Sequence, residues 1–150
     1  MTEMRLSTRW AKIADSASVT ELSGQLGYPQ DIAATTNRIE LILKNSDHCF
    51  FVAVDHEKVV GWVHGFYAIR VESDFFVEIG GLVVHDGYRR NGIGNMLVKC
   101  LVDWAALRNC KKVRVRCNSL RTDSHKFYEK AGFRQIKEQK IFEIDLKSII

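Results

Sequence analysis

The sequence predicts an α/β fold (α+β) in which a mixed sheet is covered by helices. Three observations carry this. β-rich runs at 50–54, 59–69 and 75–84 follow one another through short polar breaks, as adjacent strands do. Helix-period apolar stripes precede them, from Ser16 and from Asp31, and another follows from about Gly92 to Leu107. The 150 residues hold no repeat or low-complexity linker, so one domain at 1–150 suffices, long enough to bury about two-thirds of its unfolded surface.

Taken in order, Arg5–Lys12 reads as a first strand. Ser16–Leu26 reads as a helix with Val19, Leu22 and Leu26 on one face, stopped by Gly27 and Pro29. A second helix starts at Asp31, which can cap it, carries Ile32, Ile39, Ile42 and Leu43, and ends at Asn45-Ser46-Asp47. Phe50–Val54 and Val59–Ile69, joined by Asp55-His56-Glu57-Lys58, form an antiparallel pair. Ser73-Asp74 supplies the next turn. Phe75–Val84 is a long strand interrupted by Gly80-Gly81, where missing side chains favour a bulge against which a ligand can lie. The long helix turns Ile93, Leu97, Cys100, Leu101 and Trp104 inward and Asn95, Lys99 and Asp103 outward. Val113, Val115 and Cys117 alternate with Arg114 and Arg116 in a half-covered strand. A short helix around Tyr128 and two closing strands, about Phe133–Lys137 and Lys140–Leu146, complete the order β-α-α-β-β-β-α-β-α-β-β.

Composition excludes several classes. With 46% hydrophobic and 27% charged residues and no apolar run near eighteen, the chain reads as soluble and globular, with no membrane partner. Met1–Arg5 lacks an apolar signal core, which makes the cytoplasm the expected compartment. Cys49, Cys100, Cys110 and Cys117 contain no C-x-x-C pair and fall in apolar patterns, as buried reduced thiols do, so neither disulfides nor a metal site is expected. The net charge of +4 suits an anionic cofactor as readily as nucleic acid. Lys111, Lys112, Arg114, Arg116 and Arg121 alternate with core residues and lack stacking aromatics, so no nucleic-acid partner is expected.

The chemistry concentrates where the apolar Leu82-Val83-Val84 breaks into His85-Asp86-Gly87-Tyr88-Arg89-Arg90-Asn91-Gly92-Ile93-Gly94 and opens a helix. A helix start leaves backbone NH groups unpaired and partly positive, and glycines let a phosphate reach them. Gly87-x4-Gly92 is followed by Ile93-Gly94 rather than the Lys and Ser/Thr of a Walker A loop, and Gly92-x-Gly94 lacks the third glycine of a dinucleotide fingerprint. Arg89-x-x-Gly92-x-Gly94 remains. Downstream lies Ser124-His125-Lys126-Phe127-Tyr128-Glu129-Lys130-Ala131-Gly132-Phe133, a helix stopped by Gly132 at C′.

Together these two motifs resemble the GCN5-related N-acetyltransferase (GNAT) superfamily, whose acetyl-CoA site uses an Arg/Gln-x-x-Gly-x-Gly/Ala turn and a tyrosine in a Phe-Tyr-Glu-x-x-Gly-Phe-like segment. The resemblance runs from about Phe50 to Leu146 and implies a mostly antiparallel twisted sheet with strands splayed at the acetyl-CoA site. It further implies that the backbone of Leu82, Val83 and Val84 binds pantetheine as an added strand. The amides of Arg89, Arg90, Asn91, Gly92, Ile93 and Gly94 would hold the diphosphate, with Asn95 capping nearby on the cofactor side and Arg89 or Arg90 adding charge. Asn118, Ser124 and Phe127 are further cofactor-side candidates, although many members carry Asn where this chain has Arg121 and Ala where it has Ser124.

Acyl transfer to an amine needs a neutral nucleophile, yet an alkylammonium has a pKa near about 10.4. The resemblance implies Glu78 as the base, since it precedes Arg89 by eleven positions, a spacing similar to that of the base in histone acetyltransferases; an ion-paired strand glutamate is the other reading. It implies Tyr128 as the acid that protonates the departing thiolate. The five histidines show no metal spacing, though Trp62, His64 and Phe66 share a strand face from which they can contact an acceptor. The expected activity is acetyl transfer from acetyl-CoA to a primary amine of a small molecule, by direct attack in a ternary complex. Acetylation of a protein or peptide amine and a non-catalytic CoA sensor are the alternatives, and a homodimer is compatible with the family.

Overall fold

The computed structural model describes residues 3–25, 27 and 31–148. These fall into two compact units, Met1–Arg116 and Cys117–Ile150. The first unit holds a five-stranded sheet in the order β1 (Leu6–Trp10), β2 (His48–Asp55), β3 (Lys58–Arg70), β4 (Ser73–Val84) and β5 (Val113–Val115). The first four strands pair antiparallel in sequence order, because each is joined to the next by a turn or by the α1–α2 excursion. β5 returns through a helix and therefore pairs parallel to β4.

Helices cover both sheet faces, which explains why β2, His-Cys-Phe-Phe-Val-Ala-Val-Asp, is buried along six successive residues instead of alternately. α1 (Ser16–Gln25) and α2 (Ile32–Lys44) bring Val19, Leu22 and Ile39 against Phe50, Val52 and Val83 on one face, with Trp62, Ile42 and Leu43 at the margin. Asp31 caps α2, its carboxylate accepting from the Ala34 amide at 3.3 Å. On the other face α3 (Ile93–Leu107) lies close to the backbone of β3, where the missing side chains of Gly61 and Gly65 make room for Ile93, Leu97 and Leu101. Among the described residues no helix is long and apolar enough to cross a membrane.

The structure corrects several expectations. The first strand spans only Leu6–Trp10, because Arg9 and the backbone of Lys12 bind Asp15 and fold Ile13–Asp15 into a 3-10 turn. Ser73 and Asp74 belong to β4, and the turn falls at Val71-Glu72. β5 ends at Val115 and does not reach Cys117. Of the four free thiols, Cys49 alone is fully buried, while Cys100, Cys110 and Cys117 are half-buried. Leu26 and Pro29 lie outside the described residues.

The second unit contains α4 (Thr122–Lys130), after which Gly132 takes φ +101 at C′ as its sequence position requires. The two closing strands do not form: residues 133–145 carry no strand ladder, and Leu146–Ser148 is a 3-10 turn. Ile136, Ile141, Phe142, Ile144 and Leu146 are exposed. Strand propensity reflects packing on a half-buried sheet surface, and an isolated two-stranded ribbon is marginal in water.

Candidate active site

The turn that opens α3 is held by the chain's own hydrogen bonds. Tyr88 donates its hydroxyl to Asp55 Oδ2 at 2.7 Å, tying the turn to the end of β2, and His85 Nδ1 accepts from the Gly87 amide. Asn91 Nδ2 donates to the carbonyls of Tyr88 and Arg89, and the Arg89 guanidinium meets Asp86 at 3.1 Å on the exposed side. Arg90 at φ +69 and Gly92 at φ +77 reverse the chain into the helix. The first helical hydrogen bond runs from the Met96 amide to the Gly92 carbonyl, so the amides of Ile93, Gly94 and Asn95 project beyond the helix end. Among the described residues, a Cβ on Gly92 would meet no atom within 4 Å, which leaves this approach open. Asn95, an expected capping residue, does not cap; Gly92 is the N-cap and makes no side-chain bond.

β5 pairs only with Val77, Glu78 and Ile79 of β4. From Gly80 onward β4 therefore has no strand on that side among the described residues, and the edge of Leu82, Val83 and Val84 is unpaired there. This is the splay in the sheet. It leads directly into the turn at the head of α3, so one continuous stretch of main chain offers first a strand edge and then a ring of amides.

The register between β3 and β4 slips at the same place. His64 faces Gly81 while Gly65 faces Ile79, which leaves Gly80 as the extra, exposed residue of a bulge. Both glycines are required by their neighbours. A Cβ on Gly80 would lie 2.7 Å from His64 Nδ1, and one on Gly81 would lie 2.7 Å from the Trp62 ring.

The face below the bulge is a row of rings. Phe50 stacks on Trp62 at 5.4 Å, His48 stacks on His64 at 5.1 Å, and Phe66 stands within 6 Å of both histidines. Trp62, His64 and Phe66 thus share one face, and His48 of β2 joins them because it is the register partner of Phe66. Its nitrogen lies 2.8 Å from His64, Nδ1 to Nε2. Burial, with a smaller contribution from His48, lowers the His64 pKa to about 4, so the ring is neutral at pH 7.

Glu78, also opposite Phe66, is half-buried and accepts from Arg116 Nε at 3.2 Å. Neither the Arg116 partner of Glu78 nor the His48 partner of His64 was visible in the sequence, since both arise from register between strands. The alternation that places Arg114 and Arg116 opposite Val113 and Val115 was the available signal for the first. The expected hairpin after Val54 was the signal for the second.

Asn118, Ser124, Phe127 and Tyr128 belong to the second unit. Asn118 Oδ1 accepts from the Leu120 amide, and its carbonyl lies 2.9 Å from His125 Nε2. Ser124 sits in the first turn of α4, one turn after Arg121, which is the N-cap. Tyr128 is half-buried edge-on between Phe127 at 5.1 Å and Phe133 at 5.3 Å. Burial, with Cys117 nearby, raises its phenol well above the usual range and keeps it protonated.

The sequence model of the acetyltransferase (GNAT) family matches residues 12–133. The chain belongs to that family. As a GNAT enzyme it is similar to the N-acetylaspartate synthetases of Danio rerio, 33% identical over 96 residues, and of Homo sapiens, 33% over 95. Those stretches cover 64% and 63% of this chain, which spans about a third of the length of these curated relatives. Among solved structures, aminoglycoside N-acetyltransferase AAC(6')-Iy in complex with CoA superposes with a TM-score of 0.84 at 19% identity, covering 97% of both chains. Glucosamine-6-phosphate N-acetyltransferase from Arabidopsis thaliana gives 0.80 at 23%, covering 94% of this chain and 99% of that one. At these identities the likeness is one of fold, including the open sheet.

Proposed function

We propose that this GNAT enzyme transfers an acetyl group from acetyl-CoA to a primary amine of a small molecule, by direct attack in a ternary complex, with residues 1–150 acting as one acetyltransferase domain. The observation that carries this is the unpaired Leu82–Val84 edge running straight into the projecting amides of α3. A strand edge suits the amides of a pantetheine arm, and a helix start behind an open glycine suits its diphosphate. Asn118 supplies the pantetheine contact that many family members make from the position of Arg121, and Ser124 and Phe127 are further cofactor-side residues. When bound, acetyl-CoA supplies an activated acyl group on a thiol leaving group.

The chain's own residues do the rest. Arg89 and Arg90 add positive charge beside the amides. A base on this face takes a proton from the acceptor; the sequence spacing nominates Glu78, whose pairing with Arg116 holds its carboxylate in place on the sheet face. Tyr128, kept protonated by burial, donates to the departing thiolate. The acceptor approaches the bulge at Gly80, where the sheet face is exposed.

The names of the curated relatives make an α-amino acid the first acceptor class to try, and Arg116, on the same face as Glu78, is placed to meet a carboxylate. Four free thiols fit a cytoplasmic enzyme, and the exposed apolar side chains of residues 136–146 fit a homodimer. The test is thiol release from acetyl-CoA across amino acids, amino sugars, aminoglycosides, polyamines and peptides. A peptide as the best acceptor would replace the small-molecule reading. CoA binding by calorimetry without turnover would make the protein a sensor, and absence of binding would end the proposal.

A further inference from the structure

Two histidines from different strands, in contact through their ring nitrogens, occupy the centre of the face where the acceptor is placed. His64 presents Nε2 to His48 Nδ1 at 2.8 Å, and its other nitrogen lies over Gly80, whose bare backbone is exposed at the bulge. Rings of Phe50 and Phe66 hold His64 in this orientation at 6.1 and 5.9 Å. The pair therefore has one end at the exposed bulge and the other, on half-buried His48, toward the rim of the sheet.

We infer that His64 and His48 form a proton relay that takes the proton shed by the acceptor amine at the Gly80 opening and passes it to solvent. The inference rests on the acceptor reaching this face, as the preceding section has it.

The step balances as a tautomer shift. The acceptor ammonium gives an N–H proton to the lone pair on His64 Nδ1 and keeps the bonding electrons as the nucleophilic pair. At the same time the His64 Nε2 proton passes to the lone pair on His48 Nδ1, and the His48 Nε2 proton leaves to water. Once product departs, water takes the proton from His64 Nδ1, water returns one to His48 Nε2, and the shared proton moves back.

His64 does not store charge during this passage, because burial disfavours its imidazolium. The other groups facing the pair are consistent with an uncharged relay. α1 and α2 meet this face through the apolar Val19, Leu22, Ile39, Ile42 and Leu43. From the far strands come Glu78, already paired with Arg116, and Arg114, whose guanidinium covers the Phe76 ring. Asp47, next to His48 in the chain, is paired with Arg108. The relay thereby takes the proton that the sequence spacing assigned to Glu78, and the Glu78 carboxylate, held by Arg116, is left to attract the ammonium.

The experiment uses the full chain with the best amine from the acceptor screen. His48→Asn keeps a side chain able to hydrogen-bond His64 but cannot pass a proton through, and His48→Phe keeps the ring stack with neither nitrogen. Both are expected to lower kcat/KM for the amine at least tenfold near pH 7 with the acetyl-CoA KM unchanged. The loss should shrink toward pH 10, where the acceptor arrives deprotonated. Nitrogen-15 spectra of the protein without cofactor should show His64 as the Nε2–H tautomer.

Wild-type rates for His48→Asn at every pH, an equal loss at every pH, or an Nδ1–H tautomer as the sole form of His64 would overturn the relay while leaving the acetyltransferase reading intact. No thiol release by the wild type with any amine would remove that reading and the relay with it.

Discussion

Gly92 carries two demands at one residue. Its φ of +77 strains any residue with a Cβ, and the space beside it is the approach to the α3 amides. Gly92→Ala should therefore cost about 1 kcal/mol of stability through backbone strain alone, since the added methyl meets no atom of the described residues. Its larger effect should be a raised acetyl-CoA KM, read by steady-state kinetics beside a thermal melt. Tyr128→Phe makes the complementary prediction. The ring keeps its contacts with Phe127 and Phe133, so the fold and the acetyl-CoA KM should hold while kcat falls about tenfold or more. An unchanged kcat would show that the thiolate leaves without help from this hydroxyl.

At the scale of the element, the α3 packing against β3 can be tested at Gly65. A Cβ there would overlap the Leu101 side chain and press on Cys49 Sγ at 3.1 Å. Gly65→Ala should destabilise the chain by about 1–3 kcal/mol, measured by denaturant unfolding, and its added cost should shrink in a Leu101→Ala background, where the space is vacated.

Elements also show what sequence can and cannot convey. Asp31 before α2, Gly132 after α4 and the glycine pair in β4 were legible because each answers a local demand of capping or backbone angle. The shortness of β5, the Glu78–Arg116 pair and the contact of His48 with His64 were not, because they depend on which strand lies beside which. The closing strands were misread for the same reason: Ile141, Phe142, Ile144 and Leu146 have the propensity, but propensity does not supply a neighbour.

Across the whole molecule, His64 links stability to pH. Its folded pKa of about 4 lies below the ordinary 6.5, so the unfolded chain binds the proton over an interval where the folded chain does not. The contribution is complete above about pH 6.5, declines as pH falls, and is lost below about pH 4, with an upper bound of about 3 kcal/mol. Melting temperatures should drop across that window, and His64→Phe should flatten the drop while keeping an aromatic ring among Phe50, Trp62 and Phe66. Asp15 adds a separate loss at more acidic pH: burial, the largest single effect, works against its charge, but the hydrogen bonds from Arg9 and the Lys12 amide, with the charges of both residues, together outweigh it and hold its pKa below the usual carboxylate value.

The split in the sheet has an evolutionary corollary. In the proposed reading, donor recognition lies with main-chain atoms at the Leu82–Val84 edge and the head of α3, which survive most side-chain replacements, whereas the face proposed for the acceptor carries side chains of β2, β3 and β4. Mutation can therefore remodel what is acetylated without disturbing what donates the acetyl group. Lineages that share this architecture are free to diverge in diet while keeping one fuel.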